Sequence, residues 1–365
     1  MEIGIMGLPG AGKTVVFNAL SRAKVPVATY SAPSTEPNRA VVKVPDARLS
    51  ALADMYRPRK VTPAEVNYAD VAGLAQGMGR NGHGAQLLAQ LRTSDALLMV
   101  VRGFTDDAVA HPHGIVDPEA DLDVLTTEML LADLGVVEKR LERLDKEVRH
   151  ARGPEAEQQK REREHALLKA IQVTLDEGKP VRSVEMDGDD DRLLRGYGFL
   201  TQKPWVILLN TDDSGAKNGV LGRLQTRWGD ARTRVEPIAG KLEMDLAELS
   251  SAEAAEFMAA WEVAEPALDR VIQLSYELLD LISFFTVGDD EVRAWTVRRG
   301  SSAVDAAGAI HTGIAKAFIR AEVVAWDDLL DCGGLVESRK RGVLRSEGRT
   351  YVVRDGDVAH FLHNA

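Results

Sequence analysis

The run Gly7-Leu8-Pro9-Gly10-Ala11-Gly12-Lys13-Thr14 has the residue types and the spacing to hold a polyphosphate. It fits the pattern G-x-x-x-x-G-K-[ST] at every position. Ile3-Gly4-Ile5-Met6 before it reads as a short buried strand, and Val15 to Ser21 after it as the opening of a helix. A strand that turns sharply into a helix aims several backbone N–H groups at one point, and the helix N-terminus adds its partial positive charge. Glycines at 7, 10 and 12 let an anion approach the backbone with no Cβ in the way. Pro9 and Ala11 complete the cradle, Lys13 reaches the β- and γ-phosphates, and the Thr14 hydroxyl serves Mg²⁺. A Gly-rich turn without chemistry is the competing reading; the strand before and the helix after argue against it.

Two further runs supply what such a loop needs. Val66-Asn67-Tyr68-Ala69-Asp70 reads as a strand ending in Asp70-Val71-Ala72-Gly73. A carboxylate there joins the Mg²⁺ shell, and the Gly73 N–H can meet a γ-phosphate. D-x-x-G is common by itself and gains meaning only after a strand and downstream of a P-loop. The glycine-laden stretch that follows (Gly77, Gly79, Gly82, Gly84) reads either as a segment that changes shape when the γ-phosphate leaves or as a plain surface loop. Val25 to Asn38, rich in Pro, Ser and Thr, reads as a long loop beside the phosphate site. Trp205-Val206-Ile207-Leu208-Leu209 reads as a buried strand running into Asn210-Thr211-Asp212-Asp213. Asn and Asp three apart at a strand's carboxyl end can bond a purine edge, or can simply form a polar turn. Val235 to Ile238 reads as a last strand, with Ala239-Gly240-Lys241 as a second base contact.

The elements that must position these residues alternate strand and helix over the first part of the chain, which predicts a parallel α/β sheet. Between Asp121 and Arg152 the pattern changes. Leu130, Leu134, Val137, Leu141, Leu144 and Val148 recur at steps of four and three, the a/d spacing of a coiled coil. Gly153-Pro154 breaks this helix, and Glu155 to Asp176 carries Leu168, Ile171 and Leu175. An antiparallel helical hairpin follows, either packed on the core or projecting as a slightly basic arm toward a large partner. Asp187 to Asp191 reads as an acidic turn. From about Ile282 short β-type runs (283–287, 292–297, 351–353, 358–362) surround one helix, Ser302 to Ile314, and predict a small α+β domain. The division expected is a discontinuous nucleotide domain at 1–118 and 200–280, an inserted hairpin at 119–199 and the α+β domain at 281–365.

Bulk properties narrow the setting. The composition, 45% hydrophobic and 28% charged, is that of a water-soluble globular chain. A net charge of −11 argues against coating nucleic acid with the whole surface. The single cysteine, Cys332, excludes an intrachain disulfide and fits a reducing compartment. The longest clean apolar run, Ala96 to Val101, is too short to cross a membrane. Glu2 leads straight into the first strand, so no secretory leader is expected. A cytoplasmic protein with no membrane partner is expected, and nothing demands a dimer, so a monomer is expected too.

P-loop, D-x-x-G and N-x-x-D in this order resemble a translation-factor-type P-loop GTPase domain, and more closely the Obg-like ATPase family of the YchF type. The resemblance rests on Gly7 to Thr14, Glu36-Pro37-Asn38, Asp70 to Leu74 and Val100-Val101-Arg102. Near the C-terminus it rests on Phe285-Thr286, Glu291 to Thr296, His311-Thr312, Phe318 to Glu322 and Asp355 to Val358. It spans essentially the whole chain and implies a G-domain, a coiled-coil hairpin inserted in it and a C-terminal TGS domain of β-grasp type. It also implies slow, Mg²⁺-dependent hydrolysis of ATP and a ribosome or translation-related partner, with any RNA contact made through that partner. In this family Leu74 stands where Ras-like enzymes keep a water-orienting glutamine. Leucine makes no hydrogen bond, so the attacking water is positioned otherwise. His111 aligns with a histidine implicated in hydrolysis, with His113 as a confusing neighbour. Ser34, in the place of the switch threonine, keeps a hydroxyl for Mg²⁺.

This chain departs from the family in ways that matter. Thr211 replaces the lysine whose stem lies on a guanine ring, which favours ATP, while Asp213 stands where the family has Glu and is what guanine recognition uses. Gly10 replaces an asparagine that some relatives use to hold potassium, and Pro33 replaces a cysteine, removing redox control there. Two readings compete with an ATP-hydrolysing switch. One is a GTPase of the same fold; the other is a nucleotide-sensing adaptor in which hydrolysis is incidental.

Overall fold

The computed structural model describes residues 1–22, 25, 37–71, 82–149, 154–212, 215, 219–260 and 266–364. Ser34, Gly73, Leu74 and Asp213 lie outside the described residues, as does most of the loop expected at 25–38.

In chain order the first half contains β1 (Glu2–Met6), α1 (Lys13–Ser21), β2 (Asn38–Lys43), α2 (Ala47–Tyr56), β3 (Lys60–Thr62) and β4 (Glu65–Asp70). There follow α3 (Gly82–Thr93), β5 (Ala96–Arg102), α4 (Pro118–Arg149), α5 (Glu155–Asp176) and α6 (Gly188–Leu194). Next come β6 (Trp205–Asn210), α7 (Val220–Trp228), β7 (Thr233–Ile238), α8 (Gly240–Glu248), α9 (Ser251–Ala260) and α10 (Ala267–Leu278). The last part holds β8 (Leu281–Thr286), β9 (Glu291–Arg298), α11 (Ala303–Ile310), α12 (Thr312–Lys316), β10 (Phe318–Ala325) and α13 (Trp326–Cys332). It closes with α14 (Leu335–Lys340), β11 (Arg345–Glu347) and β12 (Asp357–His363). The chain divides into two compact units, Met1–Ala40 with Asn67–Leu268, and Val41–Val66 with Asp269–Ala365.

The first unit is built on a sheet of order β2-β4-β1-β5-β6-β7, in which β4, β1, β5, β6 and β7 pair in parallel. Every residue of β5 and of β6 is buried, as continuous apolar strands covered on both faces must be. Met6, Met99, Ile207 and Leu209 join Leu122, Leu125 and Met129 of α4 in one core. Helix α4 then runs on beyond that core. Val137, Leu141 and Leu144 pack on Leu168, Ile171 and Leu175 of α5, so the heptad positions face the second helix of the hairpin. The stretch Asp187 to Asp191 is not a free acidic turn. Asp187 caps α6, accepting from the N–H groups of Asp189 and Asp190, and the Asp190 carboxylate accepts from the Asp187 N–H.

The root of the hairpin is fastened by a buried carboxylate. Asp133 is fully buried and accepts from Arg92 Nη1 at 2.8 Å, Leu200 N at 3.1 Å, and Thr201 N and Oγ1 at 2.8 Å each. Arg92 also donates to the carbonyls of Ala132 and Gly198. A buried charge is tolerated when its lone pairs are filled in this way.

In the second unit the order is β11-β10-β12-β8-β9-β3. The hairpin β8–β9 is antiparallel, β12 runs parallel to β8, and β10 is antiparallel to β12. With α11 packed through Ala303, Ala306 and Ala307, this is the β-grasp arrangement. Two features differ from the sequence reading. The helix expected at 302–314 breaks at His311, an extended residue that ends α11 and caps α12 by accepting the Gly313 N–H on its ring. Residues 351–353 form no strand; Val352 makes only an isolated bridge to Ser302. The unit also takes in Val41–Val66, because β3 pairs in parallel with β9 (Val61 opposite Val292) and Arg48 joins Asp46 to Asp355 at 2.8 and 2.9 Å. Three residues of no marked apolar pattern, Lys60-Val61-Thr62, gave no sign of that strand.

The Asp133 network makes a stability prediction. Asp133→Ala strands a partly buried Arg92 and two buried N–H groups, and is expected to lower the unfolding free energy by about 3–5 kcal/mol. Urea denaturation at neutral pH measures it; an unchanged midpoint and slope would show that the network does not hold the hairpin root.

Candidate functional site

Parallel pairing brings the carboxyl ends of the strands into one row. Ile5 lies opposite Asp70, Met6 opposite Met99, Arg102 opposite Asn210, and Asn210 opposite Ile238. The loop 7–12, Asp70, Asn210 and Ala239-Gly240 therefore all emerge at one edge, where ligands bind in open α/β sheets. Gly12 begins α1 with a left-handed φ of 90°, and no side chain caps the first turn, so its N–H groups have no side-chain acceptor from the cap residue.

At the phosphate end, Lys13 is buried and its Nζ donates to the Leu8 carbonyl at 3.0 Å, folded back over the loop. Thr14 Oγ1 donates to Asp70 Oδ2 at 3.0 Å, and Asn38 also bonds the Asp70 carboxylate. Burial raises the Asp70 acid, opposed by the Lys13 charge and by the Thr14 and Asn38 hydrogen bonds. Burial likewise lowers Lys13 to about 8, opposed by Asp70. A hydroxyl and a carboxylate side by side are the hard oxygen donors that suit Mg²⁺. Pro9 is exposed and offers only backbone, whereas Ala11 is buried and its carbonyl is used as described next.

At the base end, Asn210 is buried and bridges two loops. Its Nδ2 donates to the Ala11 carbonyl at 3.0 Å, and its Oδ1 accepts from Gly240 N at 3.0 Å. A Cβ on Gly12 would stand 2.2 Å from Asn210 Nδ2, and one on Gly240 2.8 Å from Oδ1, so both must be glycine. An amide has two N–H donors and two acceptor lone pairs, and these two bonds use one of each. Thr211 is buried and turned inward, its N–H and hydroxyl both directed at the Ile238 carbonyl at 2.8 and 3.3 Å. Ala239 and Gly240 open α8, and Lys241 on its first turn is exposed.

The loop after β5 forms one wall. Arg102 is 2% exposed and donates to three carbonyls, those of Phe104 (3.1 Å), Asp106 (3.1 Å) and Val109 (2.8 Å), while lying over the Phe104 ring. It shapes the loop so that Val109 and Ala110 close on Gly10. His111 follows at once, but the structure does not bring its ring to Lys13 or Asp70. The ring is 4% exposed, Nε2 lies 3.0 Å from Asp121 Oδ2, and Nδ1 accepts the His113 N–H at 3.2 Å. Sequence reasoning missed Asn38 as a partner of Asp70, Arg102 as the loop organiser and Asp121 as the partner of His111. Arg102 alone carried a signal, as a cation ending an otherwise apolar strand.

Residues 2–130 match the family model described as a 50S ribosome-binding GTPase, and residues 281–364 match the C-terminal family of YchF GTPases, described as a protein of unknown function. The ribosome-binding ATPase YchF of Pasteurella multocida is 39% identical over 365 residues, covering 100% of this chain and 99% of that protein. The Bacillus subtilis protein of the same name is 36% identical over 373 residues, again covering 100% and 99%. This chain belongs to the YchF family. The YchF GTPase structure from Schizosaccharomyces pombe superposes with a TM-score of 0.84 at 30% identity, covering 99% of this chain and 97% of that one. The YchF fold explains why the GTPase match ends at residue 130, inside α4: there the chain leaves the sheet for the hairpin, and it returns only at β6.

The depressed Lys13 gives a pH prediction. Phosphate requires Lys13 charged. Below about pH 8 it already is; above, binding must take up a proton, so affinity for a nucleoside triphosphate falls about tenfold between pH 7 and pH 9. Calorimetry in buffers of different ionisation enthalpy reads both affinity and proton uptake; flat affinity with no uptake contradicts this.

Proposed function

We propose that this chain binds a purine nucleoside triphosphate with Mg²⁺ at the row of strand ends and hydrolyses it slowly, ATP in preference to GTP, as a nucleotide-controlled switch working with the ribosome. The observation that carries it is the single edge on which Lys13, the Thr14–Asp70 pair and the Asn210 bridge stand together. Thr14 and Asp70 would hold Mg²⁺, with Ser34 added from sequence; when bound, the ion neutralises developing charge on the phosphates. Lys13 supplies a fixed charge to the β- and γ-phosphates, and Gly73 an N–H. With Leu74 where a water-orienting glutamine would be, turnover is low. His111 is proposed to act in hydrolysis, and that requires its ring to leave Asp121.

The preference for ATP rests on Thr211. Its hydroxyl is directed at the Ile238 carbonyl and it has no long stem to lie on a guanine ring. The names of the relatives, ribosome-binding ATPases, support this reading and the ribosome as partner. The matching family model is described as a GTPase, and Asp213 suits guanine, so a GTPase of the same fold is the second reading. No helix among the described residues is long and apolar enough to cross a membrane.

Calorimetric titration with ATP and GTP on the wild type and Thr211→Lys tests base choice; tighter GTP binding by the wild type overturns the ATP assignment. Lys13→Ala is expected to reduce phosphate release at least about a hundredfold, in the range of lost electrostatic stabilisation at a reacting centre. Unchanged release would remove this site from the reaction. Ribosome binding compared with ATP, ADP and a non-hydrolysable analogue separates a switch from an adaptor: release only after hydrolysis is expected.

A further inference from the structure

A second group of side chains stands where the loop after β5 meets the start of α4, apart from the Thr14–Asp70 pair. His111 Nε2 is 3.0 Å from Asp121 Oδ2, and His113 Nδ1 is 3.8 Å from Oδ1 of the same carboxylate. The three ligand atoms lie within 4.8 Å of one another. Asp121 Oδ1 is buried without a hydrogen-bond partner, a condition a carboxylate oxygen rarely tolerates. His113 Nδ1 stands 3.8 Å from it. We propose that His111, His113 and Asp121 bind one transition-metal dication of the zinc class, in a state of the protein in which His111 is withheld from hydrolysis.

The donor set decides the class. Two imidazoles and a carboxylate suit Zn²⁺, Co²⁺ or Ni²⁺, whereas Mg²⁺ seeks oxygen and finds it at Thr14 and Asp70. Zinc–donor distances of about 2.0–2.1 Å put tetrahedral donors about 3.4 Å apart; the two histidine–carboxylate separations, 3.0 Å to Oδ2 and 3.8 Å to Oδ1, lie on either side of that value, and all three donors, within 4.8 Å, must draw together on the ion. Access fits as well: the His111 and Asp121 side chains are 4% and 2% exposed, and His113 at 37% leaves one side open to an incoming ion and a water ligand. One rearrangement is required. His111 Nδ1 accepts the His113 N–H, so the ring proton sits on Nε2 and is shared with Asp121. Metal binding moves that proton to Nδ1 and opens the contact to the His113 N–H. The ion then takes over from the Nε2–H···Oδ2 hydrogen bond and fixes the loop whose Val109 and Ala110 close on Gly10.

The test uses the full-length chain, nucleotide-free, in excess Mg²⁺. Titration with Co²⁺ is expected to produce visible d–d absorption saturating at one equivalent, and Zn²⁺ to displace it. His113→Asn, at an exposed position, should weaken Co²⁺ binding at least about tenfold, as should Asp121→Asn, while His360→Asn on the exposed face of β12 should leave it unchanged. His113→Asn alone suffices if Asp121→Asn fails to fold. No absorption in the wild type, or equal affinity in wild type and His113→Asn, overturns the proposal. Lys13→Ala separates it from the nucleotide reading, since that variant should keep the Co²⁺ spectrum whatever its effect on phosphate release.

Discussion

The Asn210 side chain is the constraint on which the site depends. Its two hydrogen bonds tie residues 199 and 30 positions away in sequence, Ala11 and Gly240, to the end of a central strand. Through them the phosphate loop, the base loop and the start of α8 hold one spacing. The consequence reaches back into composition: Gly12 and Gly240 are required by one amide rather than by two separate turns. Gly12 therefore has two duties. Its left-handed backbone starts α1, and its missing Cβ admits the asparagine. Thr211, next in line, is anchored to β7 and lets that strand carry Ala239 to the same edge. The base end is thus a junction of three strand ends held together by hydrogen bonds within the protein.

The helical hairpin is held by the same kind of filled polar contact, with its cations partly exposed. At its root Asp133 gathers four donors. Further out Arg140 makes a two-pronged contact with Glu164 at 2.9 and 3.0 Å, and the Tyr197 hydroxyl donates to that same carboxylate. Both clusters flank apolar seams that would tolerate sliding, because Leu and Val at heptad positions specify facing helices more strongly than their register. The ion pairs add directional contacts, and burial of their polar atoms makes any other register costly. Rigidity at the root matters, since α4 also contributes Leu122, Leu125 and Met129 to the core beneath β5 and β6.

Much of this was legible in the sequence where one local rule decides the outcome. The P-loop lies between β1 and α1 as its pattern requires, and the apolar runs became β5 and β6. The a/d positions at 137, 141 and 144 became the seam of the hairpin. What was not legible depended on partners distant in the chain. Lys60-Val61-Thr62 becomes a strand only because β9 offers it an edge. The helix over 302–314 is apolar enough to continue, yet His311 supplies a ring that caps a new turn. Among site residues, Lys13, Thr14 and Asp70 announced themselves by motif, whereas Asn38 and Asp121 act through single hydrogen bonds between segments, for which spacing holds no record. His111 was visible as a residue and invisible as a geometry: only the fold shows it turned onto Asp121.

The loop after β5 ties these threads to Gly10. Arg102 is buried with three carbonyls around its guanidinium, so it works as a clamp on loop shape. The clamp closes the loop until a Cβ at Gly10 would stand 3.2 Å from Val109 Cγ1 and 3.3 Å from the Ala110 oxygen, at a φ of 76°. A side chain at this position would have to push that loop away or accept strain in the backbone. Loss of the side chain and closure of the loop therefore belong together here. The space next to the Gly10 Cα is taken by Val109 and Ala110. Placing an asparagine at position 10 without loosening the Arg102 clamp would therefore press its side chain on Val109 and Ala110 at a left-handed φ.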